Sequence, residues 1–204
     1  MNPFQKVYQE LKKEYGRPAG QWVLWCKRPK KIYERETVII EAILTQRINW
    51  LNVEKAVANL KKENLFSLQG IQKVKLQKLS FLIKPAGFYK AKAFYLKNLA
   101  NFILNNYKNI QNLQKENLMV LRRKLINLKG IGPETADSIL LYGLDKPIFV
   151  IDEYTRRLVK SKSLTSDFSY PALQELFMQN LKKDFQLYQD FHALIVIAGK
   201  EKKY

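Results

Sequence analysis

The chain has 204 residues, 47% of them hydrophobic and 26% charged, a mix that belongs to a folded protein and excludes an intrinsically disordered one. Its 36 Lys and Arg against 18 Asp and Glu leave a formal charge of +18, which favours a polyanionic partner because neutralised phosphates release condensed counterions; an anionic membrane surface and a plain lysine-rich solubility bias compete with that reading. A single cysteine, Cys26, excludes an internal disulfide and a cysteine-built metal or iron–sulfur site from these residues.

From the N terminus, Phe4, Val7, Tyr8, Leu11 and Tyr15 form an i, i+3, i+4 stripe that stops at Gly16 and Pro18. This opening segment lacks the apolar core of a signal peptide, and no apolar run in the chain is long enough to span a bilayer. A soluble protein of a reducing cytoplasm is expected, nucleoid-associated if DNA is its partner. Cys26, in WVLWCKRP, reads as a half-buried small apolar residue. Thr37 is placed to cap a helix carrying Val38, Ile39, Ala42 and Ile43, which ends near Thr45 and Gln46. Asn52 begins another, with Val53, Ala56, Val57 and Leu60 on one face. Leu76 to Ile83 reads as a short apolar helix closed by KPAG, and a long helix follows from about Lys90 to Tyr107. Helices over Lys115–Leu128 and Glu134–Tyr142 come next. The run IFVI after Pro147 has no partner of period two elsewhere, so it reads as a buried lead-in to a helix over Glu153–Lys160 and not as a strand. Helices over Tyr170–Leu181 and Phe185–Lys200 complete the set. The expected fold class is all-α.

Most of the chemistry lies in LKGIGPETADSILLYGLDKPIFVIDEYTRRL, Leu128 to Leu158. Gly130-Ile131-Gly132 separates two helical patterns, and glycines let a backbone turn sharply between packed helices. Such a turn aims N–H groups at the positive end of the next helix outward, which makes an anion site. Pro133 suits a first turn, Glu134 complements the helix dipole, and Lys129 adds positive charge. A GxG turn also serves tight packing alone, so phosphate binding and packing both stay open on the local pattern. Asp152, after an apolar run and opening a helix, reads by itself as an N-cap worth about 1 kcal/mol.

Together the hairpin and the aspartate resemble the helix-hairpin-helix DNA glycosylases of the endonuclease III superfamily. Glu134 and Asp152 lie eighteen positions apart (152 − 134), similar to the spacing of that family's lysine and aspartate. EAILTQRINWLNVEKAVANL is similar to the family's LTQ helix and loop, IKPAGFYKAKAFYLKNLA to its wedge segment, and FHALIVIAGK to its closing helix. The resemblance thus covers about Glu41 to Lys200. Bifunctional members carry a hairpin lysine whose amine attacks the sugar; Glu134 stands in its place. Many members have a four-cysteine iron–sulfur loop near the end, where this chain reads GKEKKY. Lacking both features and carrying Trp22 and Trp25 ahead of ILTQR, the chain is most similar to the bacterial 3-methyladenine DNA glycosylase III type. The family's asparagine after the glutamine is Arg47 here.

The resemblance implies two helical lobes with a DNA-binding cleft between them. One would span residues 28–146 and contain the hairpin; the other would join 1–27 to 147–204. It implies a monomer acting on double-stranded DNA with a damaged base, with no membrane partner. No cofactor and no iron–sulfur cluster are implied, and no metal beyond a monovalent cation that the hairpin turn could hold. Asp152 is the implied catalytic residue, because glycosidic cleavage develops positive charge on the sugar that a fixed carboxylate stabilises. Once the nucleotide is extruded, Gln46 would fill the vacated stack and Phe88 would wedge against the opposite strand. Trp22, Trp25, Trp50, Tyr89 and Glu134 are the implied base pocket, where a cationic alkylated purine gains roughly 0.5–2 kcal/mol against an indole. Lys129, Gly130, Ile131, Gly132 and Thr135, with Lys90 and Lys92 beside the wedge, are the implied phosphate contacts. With no amine at Glu134, water is the expected nucleophile. The expected activity is monofunctional hydrolysis of an alkylated purine such as 3-methyladenine, leaving an abasic site. A glycosylase for deaminated, mismatched or oxidised bases and a non-catalytic binder of distorted DNA are the alternatives. His192 lies in an apolar helix pattern and reads as a hydrogen-bonded core residue. The basic runs KRPKK, RRK (Arg122–Lys124) and KEKKY read as solvated faces.

Overall fold

Apolar periodicity of three to four residues becomes helix almost throughout the computed structural model, which describes residues 2–204 and has no strand among them. In chain order the helices are α1 (Pro3–Tyr15), α2 (Trp22–Trp25), α3 (Ile32–Leu44), α4 (Trp50–Lys62), α5 (Leu68–Lys73), α6 (Leu76–Leu82) and α7 (Tyr89–Tyr107). They continue with α8 (Ile110–Lys115), α9 (Leu118–Ile126), α10 (Pro133–Ser138), α11 (Glu153–Ser161), α12 (Tyr170–Asn180) and α13 (Phe185–Lys200). A 3₁₀ turn over Lys84–Ala86 precedes α7, and a wider π turn over Ile139–Gly143 extends α10.

Local capping explains where the helices depart from apolar periodicity. α3 begins at Ile32 and not at Thr37, because the Glu34 carboxylate accepts the Lys31 N–H at 2.7 Å and closes the first turn there. Asn49, not Asn52, caps α4 by accepting the Asn52 N–H at 3.1 Å. The helix expected over Lys115–Leu128 is the shorter α9, which starts where Asn117 accepts the N–H groups of Met119 and Val120, and α8 before it was not expected. The IFVI run, Ile148–Val150 with Ile151, is buried and outside any strand.

The chain divides into two compact units, Pro29–Ile139 and the residues up to Arg28 joined with Leu140–Tyr204. It changes unit within the π turn. In Pro29–Ile139, α7 packs against α3, α5 and α6 around Ile39, Ile43, Leu60, Leu99 and Ile103. In the other unit α13 packs against α1 and α11, and Phe149 stacks on Phe177 with ring centroids 4.3 Å apart. The α11–α13 approach depends on Gly199, where a Cβ would come within 2.4 Å of the Tyr154 ring. The segment after α13 is fastened to α1 by polar contacts. Tyr15 donates to Glu201 at 2.8 Å and Lys203 pairs with Glu14, while the Tyr204 hydroxyl donates back to the Ile195 carbonyl of α13. No helix among the described residues is long and apolar enough to cross a membrane.

Candidate nucleic-acid interface and catalytic carboxylate

The hairpin is built from α9, the turn at Gly130–Gly132 and α10. Gly130 has φ +88°, and a Cβ there would lie 2.3 Å from the Tyr95 ring of α7, so backbone conformation and packing both require glycine. Gly132 differs. It caps α10 with φ −83°, and a Cβ on it would meet nothing within 4 Å. The turn therefore needs only one of its two glycines for its shape, and the second leaves exposed backbone uncovered. Ile131 anchors the turn through a buried side chain, and its N–H bonds the Leu128 carbonyl at 3.0 Å. That donor is engaged within the turn, which corrects the expectation that Ile131 contacts phosphate. Arg122 of α9 makes a bidentate pair with the fully buried Asp137 of α10, at 2.7 and 3.0 Å. Arg122 thus clamps the two arms and is no solvated charge. Arg28, of the run KRPKK also expected to be solvated, likewise pairs with Asp190 at 2.9 Å.

Two side chains tie neighbouring loops of the same unit to one another and to the turn. Gln46 donates from Nε2 to the Gly130 carbonyl and to Thr135 Oγ1, both at 3.0 Å. In this conformation its amide braces the hairpin, and Thr135 is that brace's acceptor. Lys92 is buried, and its Nζ donates to the carbonyls of Leu44 and Ala86 at 2.7 Å each. This corrects the assignment of Lys92 to phosphate: its ammonium joins the end of α3 to the 3₁₀ turn before Phe88. Burial pulls its pKa down to about 8.

Phe88 stands between these anchors with φ +44° and 66% exposure, a large apolar ring held in the left-handed region and presented to solvent. A strained, exposed aromatic of this kind marks a binding loop more than a packing site. Arg47, also exposed, has φ +54° in the loop after α3. Lys90, Lys129 and Glu134 are exposed, with Lys129 Nζ 5.9 Å from the centre of the Phe94 ring. Tyr89 and Trp50 are half-buried, and the Trp50 indole donates to Glu54 at 2.9 Å.

Asp152, in the other unit, caps α11 and does more. Oδ1 accepts the Thr155 N–H at 2.8 Å and the Thr155 hydroxyl at 2.9 Å. Oδ2 faces His192 Nε2 at 3.6 Å, and the carboxylate is 15% exposed. Burial pushes its pKa up, but the neighbouring imidazole and the Thr155 bonds outweigh burial and hold it below the ordinary carboxylate value. One oxygen is thus committed to the helix, and the other keeps a charge directed away from it. His192 is hydrogen-bonded and buried, as its apolar setting suggests, with Nδ1 2.7 Å from the Tyr142 hydroxyl. Its nearness to Asp152, forty positions away in the chain (192 − 152), is signalled by no local pattern.

Trp22 and Trp25 are buried and pack on Tyr142, with centroids at 5.5 and 5.3 Å; Trp22 also meets the His192 ring at 5.8 Å. Trp22, and not Trp25, lines a concavity of about 470 Å³ with Arg17, Pro18, Val23, Cys26 and Arg28. Within this unit the structure brings Trp22, Trp25 and Asp152 around one Tyr142–His192 core. Trp50, Tyr89 and Glu134 belong to the other unit.

Residues 40–183 match the family described as "HhH-GPD superfamily base excision DNA repair protein". The chain is 42% identical over 194 residues to a Methanocaldococcus jannaschii protein named "Putative DNA repair glycosylase MJ1434", covering 94% of this chain and 84% of that protein. Its fold is similar to the crystal structure of Helicobacter pylori 3-methyladenine DNA glycosylase (MagIII) bound to 1,N6-ethenoadenine, with a TM-score of 0.80, 27% identity and 99% of each chain covered. A trapped endonuclease III–DNA covalent intermediate has the same fold at TM-score 0.75 and 18% identity, over 98% of this chain and 88% of that one.

Proposed function

Because the chain belongs to the HhH-GPD superfamily of base excision DNA repair proteins, we propose that it is a monofunctional DNA glycosylase that releases alkylated purines such as 3-methyladenine by hydrolysis. The observation that carries this reading is Asp152, a carboxylate with one oxygen fixed by Thr155 and the other oriented beside His192. The target nucleotide leaves the duplex at a cost of a few kcal/mol. Asp152 then stabilises the positive charge that grows on the sugar as the glycosidic bond breaks, and it orients the attacking water. Glu134 occupies the position at which the bifunctional relatives carry a lysine, so no Schiff base forms and the product is an intact strand with an abasic site.

The 27% identity across the whole length of a 3-methyladenine glycosylase supports an alkylpurine substrate. Such a base is already cationic and weakly bonded to its sugar, so aromatic stacking against indoles selects it without many base-specific hydrogen bonds. Phe88 supplies the wedge, and Gln46 reaches a vacated stack only by releasing its bonds to the turn. Lys90, Lys129 and the open backbone at Gly132 meet phosphates. The one cysteine of the sequence leaves a four-cysteine cluster without ligands.

The test is a panel of duplexes carrying 3-methyladenine, 7-methylguanine, hypoxanthine, uracil or an oxidised base, run with the wild type and Asp152→Asn. Release of a methylated purine, lost in Asp152→Asn while DNA binding persists, is expected. Release of uracil but no methylated purine overturns the substrate. Strand scission without heat, alkali or another nuclease overturns the monofunctional mechanism.

A further inference from the structure

His192 is 4% exposed, and its Nε2 lies 3.6 Å from Asp152 Oδ2 with no hydrogen-bond partner of its own. Tyr142 and Asp152, on the two sides of the ring, together decide which proton that nitrogen carries. The Tyr142 hydroxyl sits 2.7 Å from His192 Nδ1 and 3.2 Å from the Gln189 carbonyl. When the imidazole is neutral, Tyr142 donates to Nδ1 and the ring proton resides on Nε2. When the imidazole is charged, Nδ1–H donates to the Tyr142 oxygen, Tyr142 donates to Gln189, and Nε2 again carries a proton. The remaining tautomer would set a bare nitrogen lone pair against the carboxylate in a buried site, where like polarity is costly. Tyr142 can serve either state, and the buried Asp152 carboxylate therefore selects the one in which Nε2 carries a proton.

Resting on the glycosylase reading, we propose that His192 is a positioning residue that keeps Asp152 ionised and its Oδ2 directed at the reacting sugar. The groups acting on this carboxylate are few. Thr155 holds Oδ1. Lys200, at the exposed end of α13, interacts with Asp152, as does the Tyr204 phenol. Beyond Tyr142 lie Cys26 and Asp190. Burial alone pushes the Asp152 pKa upward, and His192 is the largest of the influences that bring it down. Without His192, burial gains on the remaining contacts and the carboxylate takes up a proton at higher pH, which removes the charge the oxocarbenium ion requires.

The experiment measures Asp152 directly, by carboxyl carbon NMR titration of the wild type, His192→Phe and His192→Gln without DNA. In parallel, single-turnover base release from a 3-methyladenine duplex is followed against pH. The Asp152 midpoint moves up by about one pH unit or more in His192→Phe, and less in His192→Gln, whose amide still offers a donor. The acid limb of base release moves with it, while the affinity for lesion DNA stays constant. An unchanged Asp152 midpoint in both variants overturns the proposal, and His192→Gln decides alone if His192→Phe does not fold. If the wild type releases no base, the glycosylase reading fails, and the titration still decides what His192 does to Asp152.

Discussion

Lys92 gives the sharpest quantitative test of the Pro29–Ile139 unit. It is 1% exposed, and burial lowers its pKa from the ordinary 10.5 to about 8. Below pH 8 the folded and unfolded states both carry the ammonium, and its contribution to stability does not change with pH. Between about 8 and 10.5 the folded state has lost the proton and the unfolded state still binds it, so stability rises with pH across that window. Above 10.5 both are neutral and the contribution is again level. A shift of that size corresponds to on the order of 3 kcal/mol at 1.36 kcal/mol per unit. This is an upper limit, because the two carbonyl bonds at 2.7 Å replace part of the ammonium's hydration. Lys92→Met lacks the titration. Other groups also titrate in alkali, but subtracting the variant from the wild type cancels them. Urea unfolding followed by circular dichroism from about pH 7 to about pH 11 should show the difference growing in favour of the wild type by about 1–3 kcal/mol. At neutral pH the variant should already be weaker by about 2 kcal/mol, since the Leu44 and Ala86 carbonyls lose their donor. A difference that stays flat across the window refutes the desolvated-ammonium account.

Gly130→Ala should cost about 2–4 kcal/mol, combining left-handed strain with overlap on the Tyr95 ring, and lower the melting temperature accordingly. Gly132→Ala should leave stability within about 0.5 kcal/mol yet weaken duplex binding in fluorescence anisotropy at fixed salt, since its Cβ meets only open space. Arg122→Met should cost about 3–5 kcal/mol in urea unfolding, because it strips a bidentate partner from the fully buried Asp137 carboxylate. Asp152→Asn should keep its cap on α11 and change stability by less than about 0.5 kcal/mol, whereas Asp152→Ala should lose about 1 kcal/mol; an equal loss in both would show that the carboxylate charge, and not the cap, stabilises the helix start.

The all-α class was legible because amphipathic periodicity needs only near neighbours, and α13 spans Phe185–Lys200 as its apolar pattern predicts. Chain-end chemistry of single helices was less legible: α3 starts five residues before the threonine that resembles a cap, because a glutamate closes the turn instead. Polar contacts over long separations left no local trace. Gln46 and its acceptors are 84 and 89 positions apart, and Lys92 reaches across 48 to Leu44. From sequence alone a lysine beside an expected wedge reads as a phosphate contact, since nothing local reveals that α7 turns its fourth residue inward. Arg122 and Asp137 carried a usable signal: they lie fifteen positions apart at nearly equal distances from Gly130, so a tight antiparallel hairpin brings them together.

The arrangement of these anchors bears on the base extrusion proposed above. The loops bearing Arg47 and Phe88 and the turn at Gly130 would each lose conformational freedom on meeting DNA if they were independent, at about 1–2 kcal/mol per residue ordered. Lys92 joins the end of α3 to the 3₁₀ turn, and Gln46 joins the loop after α3 to the hairpin, so two side chains link all three segments. Both anchors donate to backbone carbonyls, which fixes main-chain position and leaves the exposed side chains between them free to vary. That explains how Phe88 and Arg47 can both hold left-handed conformations, which neither would keep alone in a mobile loop. If these loops meet DNA, the Lys92 anchor leaves their ordering largely in place beforehand and only the Gln46 bonds are exchanged, so more of the interaction energy is available to unstack a nucleotide.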